Sequence, residues 1–266
     1  MGLALETRAG YYSDPGATYT ALSLVSGDSF TVRNYSAANN AYLMEMLRGD
    51  TVAGVTRVRS PLLHDNVKGI HLALSENPSL DGFFPPGVQS LKAQDNLIVE
   101  VTGNTAGYNI GALSIYYTNL PGSAARLHNY GDFKGMIKSL VTVEVAVEAT
   151  ATPVTWADVV ITTTDDLLHA NTDYAVFGMY CDTALSIISL LGIDTGNVRM
   201  GMSGRTSTFD TSDYFVRLSH ESGQPCIPIF NSANKSSTYV SVLDVGASTT
   251  SNVTLVLAEC GMNTGL

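Results

Sequence analysis

The chain has 266 residues, 45% of them apolar and only 14% charged, with 24 Gly and 9 Pro. That composition excludes a disordered tail, a collagen and a coiled coil, and the length suits one large β domain or two modest ones. With 14 Lys and Arg against 24 Asp and Glu the formal net charge is −10, the wrong sign for gripping phosphate backbones over a broad surface.

Residues 1–17, which include Arg8, Tyr11 and Tyr12, are expected to form an N-terminal arm. Met1 to Glu6 lacks the basic and apolar regions of a secretory signal, and Glu6 stands where a myristoylation pattern needs Ser or Thr. No apolar run is long enough to span a bilayer; Ala184 to Leu191 comes nearest. A soluble product is the expectation. β-rich runs follow at Ser29 to Arg33, Ala41 to Arg48, Val55 to Val58, Gly69 to Leu74, Leu97 to Val101 and Leu113 to Tyr117. Past a small-residue stretch, Asn119 to Arg126, Val141, Val143, Val145 and Val147 alternate with Thr142, Glu144, Ala146 and Glu148, the period of a half-buried strand. Further runs are Thr155 to Thr162, Tyr174 to Met179, Asn197 to Met202, Tyr214 to Ser219, Thr238 to Val245 and Val253 to Leu257. Turns such as Gly27-Asp28, Asp81-Gly82, Pro85-Pro86 and Gly103-Asn104 separate the strands, and short helices are expected at Thr164 to His169 and Ala184 to Leu191. Many short strands and few helical patterns predict an all-β sandwich or barrel.

The runs also repeat. Ala41 to Gly49 lies over Ala184 to Gly192 at an offset of about 143, each followed by Asp-Thr at Asp50-Thr51 and Asp194-Thr195. At nearly the same offset Val55 matches Val198, Leu74-Ser75 matches Leu218-Ser219, Leu97 to Val101 lies over Tyr239 to Leu243, and Ile110 to Tyr116 lies over Val253 to Glu259. Two copies of one β domain are expected, each with about eight strands, the count of a jelly roll. The boundaries read 18–120 for the first jelly roll, 121–135 for a linker and 136–266 for the second.

Motifs for chemistry are weak. Asp194-Thr195-Gly196 has the turn of an aspartic protease, but the matching turn, Asp50-Thr51-Val52, lacks the glycine, and such enzymes need two aspartates sharing a proton. Arg48-Gly49-Asp50 matches a receptor-binding tripeptide and reads better as turn architecture, because the second copy has Gly192-Ile193-Asp194 there. His64, His71, His128, His169 and His220 show no metal-ligand spacing, and Asp165-Asp166 reads first as a helix start rather than a calcium site. Gly201-Met202-Ser203-Gly204 fails the nucleophile-elbow pattern. Cys181, Cys226 and Cys260 are odd in number and widely spaced, which fits buried thiols and synthesis in a reducing cytoplasm. The sequons at Asn34, Asn234 and Asn252 are at chance level. No catalytic, cofactor-binding or metal site is expected.

A tandem β repeat of this size, spanning about Thr18 to Glu259 with a joint near Pro121-Gly122, resembles the double jelly-roll major capsid proteins of icosahedral viruses, many of which infect bacteria or archaea. The resemblance is architectural and carries no signature motif. It implies a non-enzymatic subunit made in the host cytoplasm and housed in the virion. In that family three copies form a pseudo-hexagonal capsomer that meets neighbouring capsomers, minor capsid proteins and often an internal membrane. Loops at Glu76 to Val88 and Ser207 to Asp213 would then decorate the shell or join capsomers. Members with basic arms touch the genome directly; this chain departs from that pattern, so sequence-specific nucleic-acid binding is not expected. The alternative is a tandem β-sandwich carbohydrate-binding or virion attachment protein, with Tyr11, Tyr12, Phe83 and Phe84 stacking on sugars.

Overall fold

The computed structural model describes residues 2–14, 16–34, 41–48, 54–63, 67–74, 89–103, 108–148, 154–161, 167–181, 187–203, 211–244 and 250–266. The first half contributes β1 (Ala4–Ser13), β2 (Thr20–Ala21), β3 (Ser23–Leu24), β4 (Ala41–Arg48), β5 (Gly54–Arg59), β6 (Ile70–Leu74), β7 (Ser90–Leu91), β8 (Ile98–Val101) and β9 (Tyr108–Tyr117). The second contributes β10 (Leu127–His128), α1 (Tyr130–Phe133), β11 (Ser139–Glu148), β12 (Ala157–Val160), β13 (Thr172–Cys181), β14 (Ile187–Leu191), β15 (Met200–Ser203), α2 (Tyr214–Ser222), β16 (Ile227–Asn231), β17 (Tyr239–Leu243) and β18 (Thr250–Met262).

Each half is a sandwich of two antiparallel sheets. In the first, β1-β9-β4-β7 faces β2-β8-β5-β6, and in the second, β11-β18-β13-β16 faces β12-β17-β14-β15. Taken along the chain, both halves visit their two sheets in the same order, which is the jelly roll with its paired Greek keys. The extra strands sit on edges, β3 beside β1 and β10 beside β16. Inward-facing side chains fill each sandwich: Leu43, Met46, Val58, Val99, Leu113 and Ile115 in the first, and Val143, Val145, Val176, Leu190, Val242 and Leu255 in the second.

The pairing registers show the duplication directly. Strands β1 and β9 pair from Ala4↔Tyr117 to Ser13↔Tyr108, and β11 and β18 pair from Ser139↔Glu259 to Glu148↔Thr250, so the two ladders match end to end. Through that match Ile115 corresponds to Leu257 and Ser114 to Val256. Strand β4 bulges at Met44, between Leu43↔Ile115 and Glu45↔Ser114. Strand β13 bulges at Phe177, between Val176↔Leu257 and Gly178↔Val256. One extra residue at the same rung of both copies is the kind of defect that persists within a family because it re-aims a side chain.

Three expectations are corrected. Residues 4–13 are not a free arm. They form β1, a strand inside the sheet between β3 and β9, and Ala4 to Gly10 are all buried. The run Tyr214 to Ser219 is helical, not extended: it lies in α2, where Tyr214, Phe215 and Leu218 share one buried face, Arg217 bonds Asp213 at 2.7 Å across one turn, and left-handed Gly223 ends the helix. Conversely, 187–191 within the expected helix at Ala184 to Leu191 is the strand β14, central in its sheet and inaccessible to solvent at Ile187, Ile188 and Leu190. Of the other short helix, residues 167–169 carry no helical assignment and 162–166 lie outside the described residues.

Candidate functional site: the seam between the jelly rolls

The outer face of β1, β9 and β4 packs against the second half. Ala9, Leu47, Ile110 and Ala112 on the first side meet Trp156, Ile187 and Leu243 on the second in one apolar cluster. Beside it the backbones nearly touch. The Thr7 N–H donates to the Arg199 carbonyl at 2.7 Å, and the Gly201 N–H donates to Thr7 Oγ1 at 2.8 Å. A Cβ on Gly201 would sit 2.7 Å from Thr7 Cγ2, so this approach requires glycine.

Charged groups close the flank. The Trp156 Nε1–H donates to Asp28 Oδ2 at 3.2 Å, and the same oxygen accepts from the Ala9 N–H at 2.8 Å. Burial nevertheless pushes the Asp28 carboxyl above its ordinary range. Arg199 lies over the Trp156 ring at 4.8 Å, donates to both Asp158 oxygens at 2.9 Å and to Ser241 Oγ at 2.7 Å. Burial alone would raise Asp158, but hydrogen bonding from Arg199 and Ser241 and the Arg199 charge together hold that carboxyl below the usual value.

At the other end of the seam the β4 bulge turns both Met44 and Glu45 toward the second half. Met44, Leu5 and Tyr116 join the second half's core cluster. The Tyr214 hydroxyl on α2 donates to Glu45 Oε1, and Ser114 is the residue paired with Glu45 on β9. Burial pushes Glu45 up to about 7.

The same sheet face in the second half is open. Strand β11 alternates strictly, with Leu140, Thr142, Glu144, Ala146 and Glu148 toward solvent or near it, and Leu140 is 65% exposed. By register these are the counterparts of Leu5, Thr7, Ala9 and the residues beyond. The open outer face of the first half, on β5 and β8, carries Arg57 and Arg59 sharing Glu100 at 2.6 and 3.0 Å, with Arg57 stacked on Tyr19 at 3.7 Å.

Most of the motifs singled out from sequence fall elsewhere. Asp194 lies in a short 3-10 turn, Ile193–Thr195, closed by left-handed Gly196. Its Oδ2 accepts from the Asn231 N–H at 3.0 Å and Asn234 Nδ2 at 2.9 Å. Arg126, in the segment joining the halves, ties Asp194 at 3.5 Å to Asp173 at 2.8 Å, so the carboxylates are separated by a guanidinium rather than sharing a proton. This is a clasp on the joint. Asp50, the Arg48-Gly49-Asp50 tripeptide beyond Arg48, His64, Phe83, Phe84, Asp165, Asp166 and the loop at 76–88 lie outside the described residues. Among the described residues no group of three His, Cys, Asp or Glu could hold a metal ion. Ser203 is part of β15, and Cys181, Cys226 and Cys260 are buried and none is in a disulfide. Tyr11 is half-buried against the seam cluster, edge-on to Tyr108 at 6.1 Å, while Tyr12 is at the surface. Among the described residues no helix is long and apolar enough to cross a membrane.

Sequence reasoning passed over Glu45 and Thr7. The available signal was a glutamate inside the apolar run Leu43-Met44-Glu45-Met46-Leu47, where the alternation breaks at the bulge.

The fold and the seam thus define a double jelly roll. No protein-family model matches the chain, and no curated protein matches it. Among solved structures, the STIV MCP is similar at 11% identity over 97% of each chain with a TM-score of 0.25. The major capsid protein of bacteriophage PM2 is similar at 6% identity over 98% of each chain with a TM-score of 0.24. Agreement this loose adds nothing to the strand order and the seam, which carry the reading below.

Proposed function

We propose that this chain is a major capsid protein: a structural subunit, without catalytic activity, that forms homotrimeric, pseudo-hexameric capsomers of an icosahedral virion. The observation that carries this reading is the asymmetry of the seam. The contact inside the chain joins two different surfaces, the outer face of β1-β9-β4 and the outer face of β12-β17-β14-β15. It therefore leaves one surface of each kind free, on β11-β18 and on β5-β8. A contact between unlike surfaces propagates head to tail and closes into a ring when its rotation allows. With two lobes per chain, three chains supply six similar lobes.

Charge supports the same pairing. The free β11 face presents Glu144 and Glu148, and the free β5-β8 face presents two arginines for one glutamate. Edge protection supports it too, since paired sandwiches leave few bare strand edges for uncontrolled polymerisation. In this reading the capsomers meet one another and minor capsid proteins, the chain is made in the host cytoplasm, and the acidic balance of −10 leaves the genome to an internal membrane or to other proteins.

Size-exclusion chromatography with light scattering, followed by negative-stain imaging, tests the proposal. The expected result is a stable trimer with six-lobed outline that grows into larger shells. A monomer at micromolar concentration that binds immobilised glycans would overturn it in favour of a carbohydrate-binding protein.

A further inference from the structure

Hydrogen bonds cross the seam at two places in one polar cluster. The Gly201 N–H on β15 donates to Thr7 Oγ1 on β1, which shares a hydrogen bond with Ser114 Oγ on β9 at 2.9 Å, and the Tyr214 hydroxyl on α2 donates to the carboxyl of Glu45, the β4 residue paired with Ser114. Gly201 and Tyr214 belong to the second jelly roll, and Thr7, Ser114 and Glu45 to the first. Glu45 is the only member that can carry charge near neutral pH, and its second oxygen, Oε2, is buried without a hydrogen-bond partner among the described residues. A buried carboxylate with one oxygen bare is costly; a neutral carboxylic acid in the same place is far less so.

We propose that Glu45 makes the docking of α2 and the second jelly roll onto the first pH-dependent, the seam being tight with the carboxyl protonated and loosening once it ionises. The groups facing Glu45 do not oppose this. From β9 and β1 they are the neutral hydroxyls of Ser114 and Thr7. From α2 it is Tyr214, itself pushed well above its ordinary value, first by burial and then by Glu45, with Arg217 acting weakly on it in the other direction. From the segment after α2 it is Cys226, whose thiol burial pushes up to about 12, so it stays neutral. No cation lies among the causes that act on the Glu45 carboxyl.

The sign follows from linkage. The docked state holds the proton up to about pH 7, whereas an opened, solvated carboxyl loses it near its ordinary 4.5. Opening is therefore favoured as pH rises through that window and levels off above it. Hydrogen–deuterium exchange of residues 214–222, corrected for the intrinsic pH dependence of amide exchange, reads the opening. Between pH 5.5 and 8.5 the opening constant is expected to rise about 30-fold in the native chain and to stay flat in Glu45→Gln. A native chain without the rise, or a Glu45→Gln variant that keeps it, overturns the proposal. Should Glu45→Gln fail to fold by circular dichroism, Tyr214→Phe decides. It removes a bond that favours the ionised carboxyl, so the rise should persist and level off at higher pH; a plateau at unchanged or lower pH overturns the proposal. The measurement uses the isolated chain, so its outcome is separate from whether that chain builds a shell.

Discussion

Strands β1 and β11 hold the same place in two copies of one fold, pair with their partners over ten-residue ladders of the same register, and yet have opposite surroundings. Seven consecutive residues of β1, Ala4 to Gly10, are buried, whereas β11 buries every second residue from Val143 and shows the rest to water. The sequences record the difference. Leu5 and Leu140 agree, Thr7 and Thr142 agree, and at the next outward position the buried copy has Ala9 while the open one has Glu144. Alanine for glutamate at that position, with Ser13 for Glu148 two outward positions on, is the chemical difference between a face that accepts a neighbouring sheet inside the chain and one that stays wet in the isolated chain. The bulge repeats the lesson. Met44 and Glu45 point into the seam, while their counterparts Phe177 and Gly178 serve α1 and the 211–212 backbone. Phe177 packs on Tyr130 and Phe133 at 6.1 and 6.4 Å, and a Cβ on Gly178 would run into the Thr211 carbonyl.

The sharpest way to break the comparison is to exchange those outward residues. Ala9→Glu forces an unpaired carboxylate into the closed seam and should cost about 3–5 kcal/mol, measured by urea unfolding at neutral pH. Glu144→Ala, at the matching position on the open face, should stay within about 0.5 kcal/mol. Equal effects would mean that the two faces are not the distinct environments described. The matched leucines give the next contrast. Leu5→Ala empties a fully buried site and should cost about 3 kcal/mol, while Leu140→Ala, at a site 65% exposed, should leave the monomer nearly unchanged.

Glu45 adds a pH signature that its counterpart, Gly178, cannot have. Its folded value of about 7 lies above the ordinary 4.5. The folded state therefore binds the extra proton between those values, and stability falls as pH rises from about 4.5 to 7, by about 3 kcal/mol in all. Asp173, Asp158 and Glu100 are held low by their partners and act with the opposite sign, losing stability only as pH falls into their own lower range. Thermal melts of the native chain and Glu45→Gln across pH 4 to 9, taken as a difference, isolate the Glu45 contribution; curves that run parallel would remove it.

The same contrast explains what could be read without coordinates. The open strand β11 was legible because half-burial writes a period of two. Strand β1 was not, because burial on both faces removes the alternation, and its polar members are satisfied by specific partners: Glu6 by Arg8 and Arg33 at 2.8 and 2.7 Å, Thr7 by Ser114. The repeat was legible at its end. Leu97 to Val101 over Tyr239 to Leu243, and Ile110 to Tyr116 over Val253 to Glu259, fall on corresponding strands, β8 with β17 and β9 with β18, but one residue out of register, since Glu259 matches Tyr117 and inward Val99 lies over outward Ser241. Earlier in the chain the match is out by one strand: Ala41 to Gly49 lies over Ala184 to Gly192 in sequence, but β4 corresponds to β13, and β14 to β5. Apolar runs of period two match one another too easily to fix register alone. The offset also changes, from Ala41 and Thr172 at the start of β4 and β13 to Tyr108 and Thr250 at the start of β9 and β18, because the second copy accommodates α2 and the 3-10 turn at Ser232–Ser237. The seam itself was beyond sequence, since it depends on which faces of two similar sandwiches meet.

The smallest expected effect is the one closest to function. If the β11 face of one chain meets the β5-β8 face of the next, Glu144→Lys places like charges across that contact and should weaken trimer association, while leaving the folded monomer intact because residue 144 stays in water there. Arg59 is the better partner to reverse, as its side chain is 31% exposed against 16% for Arg57. Arg59→Glu alone should also weaken the trimer, partly through its lost bond to Glu100, and the double variant should recover what neither single change allows. Exposed pairs of this kind are worth about 1 kcal/mol or less, so each trimer contact should shift by about fivefold at low salt and by less at high salt. Light scattering across a concentration series reads the shift. Two additive losses with no recovery in the double variant would place the trimer contact on some other surface, even if trimers form.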